Sequence, residues 1–144
     1  MAAAQAPAHV VLDWSFNYGA AASSSALGPN STFQYCPVKL TANDMEVAPS
    51  SSAGVTITAS TRSVGILQNA PGLNQAATVR MLGISKCVVD GTTPIYPGSW
   101  LISDASGRGA ASSSASAEVF GFALQGSTVA NDIISVFVVP AGRW

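Results

Sequence analysis

The chain has 144 residues, enough for one domain with a substantial hydrophobic core. Hydrophobic residues make up 48% of it, but charged residues make up only 9% and the net charge is −1, whereas a typical soluble domain has about 25% charged residues. The six basic residues are scattered, which disfavours direct nucleic-acid binding through phosphates, and no apolar run reaches the length of a membrane span.

The low charge indicates what kind of surface the protein has. Such a surface is solvated by Ser, Thr, Asn and Gly, and it repels other protein surfaces only weakly. This favours a protein that lives on or within an assembly; a neutral secreted domain is the alternative. The opening Met-Ala-Ala-Ala-Gln lacks the charged and apolar regions of a secretory signal, so we expect synthesis and folding in a cytosol.

Few residues in the chain have the chemistry of a catalytic or metal site. The single histidine, His9, has no partner near it in sequence, and no Cys/His spacing suits a metal. We interpret Cys36 and Cys87 as buried, reduced thiols, although a disulfide between them stays open. The seven acidic residues fall mostly at turns, where they accept local hydrogen bonds. We therefore predict no enzyme activity, no metal and no cofactor.

An aromatic segment stands near the start of the chain. From Leu12 to Tyr18 the residues alternate, so that Leu12, Trp14, Phe16 and Tyr18 share one side of an extended strand. An Ala/Ser-rich stretch without an apolar stripe follows, which favours a linker over a helix. Two alternatives remain: the segment is an arm that docks on a neighbouring subunit, or it folds back as an ordinary strand.

We divide the chain into an N-terminal arm and linker, residues 1–30, and a folded domain, residues 31–144. In the domain, short apolar or alternating runs are separated by glycine and proline turns, and no stretch has a helical period. We predict that Gly83 bends a long strand and that Pro140 ends the last one. The predicted strands are Thr32–Cys36, Val38–Leu40, Met45–Val47, Val55–Ala59, Val64–Gln68, Ala76–Leu82, Ile84–Val89, Ser99–Ser103, Glu118–Gln125 and Ile133–Val139.

Many short strands with glycine turns are typical of an all-β protein. The predicted fold is a small single-domain β-barrel or sandwich with an extended N-terminal arm. Ala110–Ala117 is predicted to be a surface loop. In Glu118–Gln125, the residues Phe120, Phe122 and Leu124 are expected on one face.

The order of motifs from about Phe33 onward resembles the head decoration (cement) proteins of tailed bacteriophages. The resemblance covers roughly three quarters of the chain. No single motif is diagnostic of the family; the order in which the motifs follow one another is more specific. The motifs are Tyr35-Cys36-Pro37-Val38-Lys39-Leu40, Val64-Gly65-Ile66-Leu67-Gln68-Asn69-Ala70-Pro71, Ala77-Thr78-Val79, the strand containing Gly83, Pro97-Gly98-Ser99-Trp100-Leu101, Ser103-Asp104-Ala105-Ser106-Gly107-Arg108, Phe120-Gly121-Phe122-Ala123-Leu124 and Ile134–Val139.

The resemblance implies a non-enzymatic protein that binds the outer surface of a phage capsid and stabilises the shell. Its partner would be the major capsid protein, it would form a homotrimer, and it would reside on the capsid surface of a virion assembled in the host cytoplasm. It implies contact with neither a membrane nor nucleic acid. The contact candidates are Val10, Leu12, Trp14, Phe16, Tyr18 and Trp144.

Other functions share the same sequence character. A phage tail or fibre component is also rich in β-structure and poor in charge. Tryptophans exposed on a β-scaffold can stack on sugars, so Trp14, Trp100 and Trp144 leave a carbohydrate-binding module as a further alternative. Packing in a core or at an interface explains the same three residues.

Overall fold

All the regular structure described in a computed structural model of the chain is β-strand. The description covers residues 11–20, 32–50, 62–113 and 118–143; the predicted strand Val55–Ala59 and the contact candidates Val10 and Trp144 lie outside it. Within this part of the chain, no helix has the length and apolarity needed to cross a membrane. The predicted all-β fold is confirmed. The strands are β1 (Leu12–Tyr18), β2 (Pro37–Leu40), β3 (Glu46–Pro49), β4 (Ser63–Leu67), β5 (Ala76–Val88), β6 (Trp100–Ser103), β7 (Gly109–Ala111), β8 (Glu118–Ala123) and β9 (Ile133–Arg143).

Five of these strands close into a barrel. Their order is β1-β3-β2-β4-β5, and β1 also pairs with β5, which completes the ring. The β1–β3 pair is parallel and the other pairs are antiparallel. Each strand of this ring therefore has a neighbouring strand on both sides. Its interior is filled by Phe16, Tyr18, Val38, Val47, Leu67, Ala77 and Val79.

Strand β5 belongs to two parts of the sheet because it is long enough to leave the barrel. Its first half lies in the ring, and from Gly83 onward it pairs with β9, which is followed by β8, β6 and β7. Gly83 has a φ of 109°, a conformation that favours glycine, and β5 runs through it without interruption; the predicted bend at this residue stays a prediction. A bridge between Val89 and Gly109 brings β7 back beside the end of β5. This second part has its own core, formed by Ile66, Cys87, Val89, Ile95, Leu101, Phe120, Ala123, Ile134, Val136 and Val138.

Strand β4 lies between the two cores. Ile66 belongs to the second core and Leu67 to the barrel core, and both side chains are fully buried. Successive residues of a strand point to opposite faces, so a short apolar strand can serve both cores at once. Gly65 allows the strands to approach closely, because a Cβ there would fall on the carbonyl oxygen of Arg80 and lie 2.7 Å from the Cγ1 atom of Val79.

The aromatic segment Leu12–Tyr18 is strand β1 of the barrel. It pairs with β5 from Leu12 to Asn17 and, at its end, with β3. Phe16 is 7% exposed and Tyr18 is completely buried, so these large aromatic side chains fill the barrel. Of the two alternatives for this segment, the structure therefore shows the strand that folds back, and the domain includes residues that the predicted boundary at residue 30 had placed in an arm.

Three local predictions were wrong. Thr32–Cys36 is mainly a turn, because Tyr35 has a φ of 65° and the Cys36 amide donates to Phe33. Pro140 does not end β9, which continues to Arg143. The pairing of β9 with β8 is irregular between Val138 and Gly142, so that a proline, which cannot donate to a ladder, is accepted there. Part of the predicted Ala-rich loop is strand β7.

Candidate functional site

The predicted contact residues of β1 differ in their exposure. Phe16 and Tyr18 point into the barrel core, so their side chains are covered by the chain itself. Leu12 is 43% exposed and Trp14 is 52% exposed, and both are accessible to a partner. The alternating residues therefore do form a strand, but only those in its first half, Leu12 and Trp14, are available for binding.

The pairing of β1 with β5 is irregular at the beginning of β1. Asp13 lies opposite Arg80 and Leu12 opposite Leu82, so one residue of β5, Met81, has no partner on β1. Such a bulge re-aims the neighbouring side chains. Trp14 still lies near the buried Phe16, with 6.4 Å between their ring centroids. The first residues of β1 thus carry apolar side chains at the surface of the barrel.

Arg80 fixes this end of β1 through a bidentate ion pair with Asp13. Its Nε and Nη2 atoms donate to Asp13 Oδ1 and Oδ2, each at 2.8 Å, and its Nη1 atom donates to the carbonyl of Ile84 at 2.7 Å. These hydrogen bonds hold the pKa of the Asp13 carboxyl below its usual value and raise the pKa of Arg80. The charged pair is therefore satisfied within the chain.

A second group of apolar side chains lies on the outside of the sheet formed by β6, β8, β9 and β5. Trp100 lies opposite Phe122, Phe122 opposite Phe137, and Phe137 opposite Ile84, and residues directly opposite one another share a face. The Trp100 and Phe122 rings meet edge to face, with centroids 5.6 Å apart. The Phe122 and Phe137 rings stack at 5.4 Å. They form one continuous aromatic row across three strands.

Further residues of the same four strands, together with Leu124 directly after β8, extend this row into a surface. Leu124 follows Phe122 by two positions, and Ile133 and Ser135 precede Phe137 by four and two, so the strand period places them on the same side. Ser135 lies opposite Lys86. We call the resulting surface the outer face. It consists of Ile84, Lys86, Trp100, Phe122, Leu124, Ile133, Ser135 and Phe137.

The sequence contained part of the signal for the outer face. Ile133–Val139 is apolar at nearly every position, which indicates that both faces of β9 meet apolar surroundings. The expected face of β8 was wrong: Phe120 is 1% exposed in the second core, whereas Leu124 is 39% exposed on the outside. The pairing of β8 shifts between Val119 and Gly121, and this shift reverses the alternation that the sequence predicts.

The described residues offer little material for chemistry. In residues 11–20, 32–50, 62–113 and 118–143, no three His, Cys, Asp or Glu side chains come together as a metal site would require. Cys36 and Cys87 are buried free thiols. Asp104 accepts from the backbone amides of Ser106 and Arg108 at 2.8 and 2.7 Å, the local role expected of an acid in a turn.

Comparison with solved structures shows a likeness in fold. No protein-family model matches the sequence, and no curated protein matches it. The fold is similar to that of a phage head fibre base. The superposition is with the crystal structure of the head fiber gp8.5 N base in bacteriophage phi29; it has a TM-score of 0.56 and covers 90% of this chain and 94% of that chain. At 15% sequence identity, the likeness establishes a shared fold.

Proposed function

We propose that this protein is a structural component of a bacteriophage virion, that it binds the outer surface of the capsid, and that it catalyses no reaction. The observation that carries the proposal is the likeness to the phi29 head fiber base, which extends over 90% of this chain and 94% of the other. A match of nearly the whole of both chains favours a common module over a shared fragment. It also favours attachment to a head over attachment to a tail, since the other protein is a head fiber.

The surface of the domain suits this role. Only 9% of the residues are charged, so neighbouring subunits repel it weakly. The places where apolar side chains are exposed include the beginning of β1 and the outer face. A protein that covers a shell needs several weak contacts, which act together when many copies are arranged around symmetry axes. In this proposal the partner is the major capsid protein, and the protein acts as a homotrimer that reinforces the shell.

The exposed beginning of β1 is the part that we assign to the capsid. Leu12 and Trp14 project from a strand that Arg80 and Asp13 hold in place, so they are rigid apolar anchors. Such anchors lose little conformational entropy on binding. Tryptophan is also among the residues that contribute most to binding energy at interfaces.

Binding to particles that lack the protein tests the proposal. Virions of the phage that encodes this chain, prepared with its gene deleted, are incubated with the purified protein and examined by cryo-electron microscopy. We expect added density on the outside of the head. Density on the tail, or none on particles whose composition shows that the protein is normally present, would overturn the proposal.

Two variants with charged substitutions distinguish specific binding through β1 from nonspecific adsorption to the capsid. Trp14→Glu should reduce occupancy by at least about tenfold, which corresponds to roughly 1.4 kcal/mol of binding free energy. Leu73→Glu is the matched control, because Leu73 is 61% exposed in the turn between β4 and β5; its occupancy should equal that of the unaltered protein. Equal binding by both variants would remove β1 from the contact while leaving the proposed role in place.

A carbohydrate-binding module is the second candidate, because an indole that is 52% exposed stands next to a charged pair, Asp13 and Arg80. Aromatic faces beside polar groups are suited to sugar rings. A glycan array distinguishes the two functions. Binding that Trp14→Ala abolishes would favour the module, whereas a blank array together with capsid binding would favour the structural role.

A further inference from the structure

We propose that β1 binds the capsid by accepting an added strand from an extended segment of the major capsid protein. The added strand would pair with the side of Leu12–Phe16 that faces away from β5, which we call the free edge. The inference rests on the proposed function and deepens it, because it states how the backbone of β1 makes the contact. The exposed side chains of Leu12 and Trp14 would then flank a backbone pairing.

The pairing of strands leaves one side of β1 open over most of its length. On one side, β5 pairs with β1 from Leu12 to Asn17. On the other side, β3 pairs only with Asn17 and Tyr18. The chain before β3 turns away, because the Thr41 amide donates to the carbonyl of Glu46 and closes the turn between β2 and β3. In the part of the chain that the structure describes, no strand other than β3 and β5 pairs with β1.

Hydrogen bonds at the end of β1 show how its backbone groups are directed. The Tyr18 amide donates to the carbonyl of Gln75, just before β5, at 3.0 Å. The Asn17 amide donates to the carbonyl of Met45, just before β3, at 2.8 Å. Neighbouring residues of β1 therefore direct their backbone groups to opposite sides of the strand.

The same alternation places backbone groups of Ser15 and Asp13 on the free edge. In an antiparallel ladder, every second residue exchanges both of its hydrogen bonds with the partner strand. The register of β1 with β5 is unbroken from Asp13 to Asn17, so Trp14 and Phe16 direct their N–H and C=O groups to β5. Ser15 and Asp13 direct theirs the other way. Ser15 is exposed, and outside the β1–β5 ladder its backbone makes no hydrogen bond to any described residue.

The chemistry of the free edge defines the kind of partner. Residues two positions apart in a strand present their N–H and C=O groups about 6.8 Å apart, a spacing that matches another extended backbone. Leu12 and Trp14 are exposed beside these groups, and cross-strand neighbours on one face pack against each other. We therefore expect a segment with apolar or aromatic side chains at alternate positions, which is the usual form of strand addition.

The sequence of the free edge does not prevent strand addition. Proteins protect exposed edges with proline, lysine or a covering segment. Leu12–Phe16 contains neither proline nor lysine. Its one charge, on Asp13, is bound by Arg80 through two hydrogen bonds of 2.8 Å. An incoming strand would therefore meet a nearly uncharged edge with unpaired backbone groups.

A proline at position 15 tests the free edge without removing a hydrogen bond of the barrel. Ser15→Pro deletes an outward amide, and proline is accepted on edge strands where its missing N–H would face solvent. Ser15→Ala is the matched control, because it removes the hydroxyl and keeps the amide. On heads that lack the protein, Ser15→Pro should bind at least about tenfold more weakly, and Ser15→Ala should bind like the unaltered protein. Circular dichroism and a melting curve show whether each variant is folded.

Hydrogen exchange tests the same edge in the unaltered protein. In the free full chain, NMR should show fast exchange of the Ser15 amide and slow exchange of the Trp14 and Phe16 amides, which bond to β5. On capsids, mass spectrometry of the segment that contains Ser15 should show exchange slowed at least about tenfold. This measurement decides the proposal by itself if Ser15→Pro does not fold.

Each outcome supports or rejects the proposal. Weaker binding by folded Ser15→Pro, with Ser15→Ala unaffected and the Ser15 amide protected on capsids, supports it. Slow exchange of Ser15 in the free protein overturns it, as does protection that appears without capsids when the protein concentration rises. Normal binding by folded Ser15→Pro, together with weak binding by Trp14→Glu, rejects this inference and leaves the proposed function intact. An unaltered protein that ignores capsids rejects both.

Discussion

Arg80 on β5 holds Asp13 on β1 through two parallel hydrogen bonds of 2.8 Å. This pair connects residues that are 67 positions apart in the chain, and Asp13 lies within the exposed half of β1, between Leu12 and Trp14. Arg80 also donates to the carbonyl of Ile84 at 2.7 Å. One guanidinium thus joins the proposed capsid anchor on β1 to a residue of the outer face.

The Asp13–Arg80 pair gives a pH-dependent contribution to stability. Because the hydrogen bonds from Arg80 lower the pKa of Asp13 in the folded state, the contribution is fully present above the unfolded pKa of about 3.9 and is lost as pH falls through the lower folded pKa. Both side chains remain partly exposed, so Asp13→Asn should cost no more than about 1 kcal/mol at pH 7.

Urea denaturation at pH 7 and at pH 3 measures this contribution. The difference in stability between Asp13→Asn and the unaltered protein should shrink at the lower pH and in high salt. Asp44→Asn, in the exposed turn between β2 and β3, is the control and should change little. A difference that grows as the pH falls would contradict the ion pair.

Truncation distinguishes a barrel strand from a detachable arm. Removal of residues 1–18 takes Phe16 and Tyr18 out of the barrel core and opens the ring at β1. Loss of one large buried aromatic side chain costs about 3–5 kcal/mol, and a domain has only about 5–15 kcal/mol of stability. We expect this truncated chain to be largely unfolded, as measured by circular dichroism and thermal melting.

The control for this truncation is the removal of residues 1–10, which retains every residue of β1. This shorter truncation should melt close to the full chain. If the chain without residues 1–18 melts like the full protein, β1 is not a structural strand of the barrel. The same comparison keeps capsid-binding experiments interpretable, because a loss of binding by an unfolded chain would say nothing about Trp14.

The prediction of the fold from sequence succeeded where local pattern and tertiary environment agree. The apolar run of β4 and the alternation of β1 both predicted strands correctly. Prediction failed where an irregular register between paired strands changes which side chains are buried, so that burial no longer alternates from one residue to the next. The shifted register of β8 buries Phe120, and irregular pairing lets β9 continue through Pro140; neither is visible in a single strand.

The outer face could not be predicted for a related reason. Trp100, Phe122 and Phe137 are up to 37 positions apart, and their contact depends on the order β9-β8-β6 in the sheet. Hydrophobic pattern gives the strands but not their neighbours, because many pairings bury similar amounts of apolar surface. The aromatic segment was predicted from alternation alone, and for that reason its buried and exposed halves could not be separated.

Close approach of β4 and β5 makes Gly65 a sensitive position. A Cβ at residue 65 would overlap the carbonyl oxygen of Arg80 and lie 2.7 Å from Val79 Cγ1, and a backbone atom cannot move aside as a side chain can. Gly65→Ala should therefore destabilise the protein by about 1–3 kcal/mol or more, as overpacking of a core does. Chemical denaturation gives the value.

Gly72 is the matched control for this substitution. A Cβ there would lie 3.3 Å from the nearest atom, the Cδ of the flexible Gln75 side chain, so Gly72→Ala should have an effect of a few tenths of a kcal/mol in either direction. Equal stability of the two variants would mean that β4 and β5 are farther apart than described.

The two cysteines should be inert in the folded protein. Burial raises the pKa of the Cys36 thiol to about 12 and also raises the pKa of Cys87, and the thiolate is the species that reacts. At pH 8 we expect a thiol reagent such as Ellman's reagent to react very slowly with the native protein. In guanidinium chloride without a reductant, both thiols should react at once, because they are free.

The number of thiols that react before and after unfolding distinguishes buried free cysteines, a disulfide, and cysteines that are exposed when the cores open. Two reactive thiols after unfolding, and none before it, match the described burial; Cys36→Ala should then give one. No reactive thiol after unfolding would mean that Cys36 and Cys87 form a disulfide, and rapid reaction of the native protein would mean that the cores around them open readily. Because Cys87 lies in the second core, beneath the outer face, rapid reaction there would also indicate that β5 and β9 separate in solution.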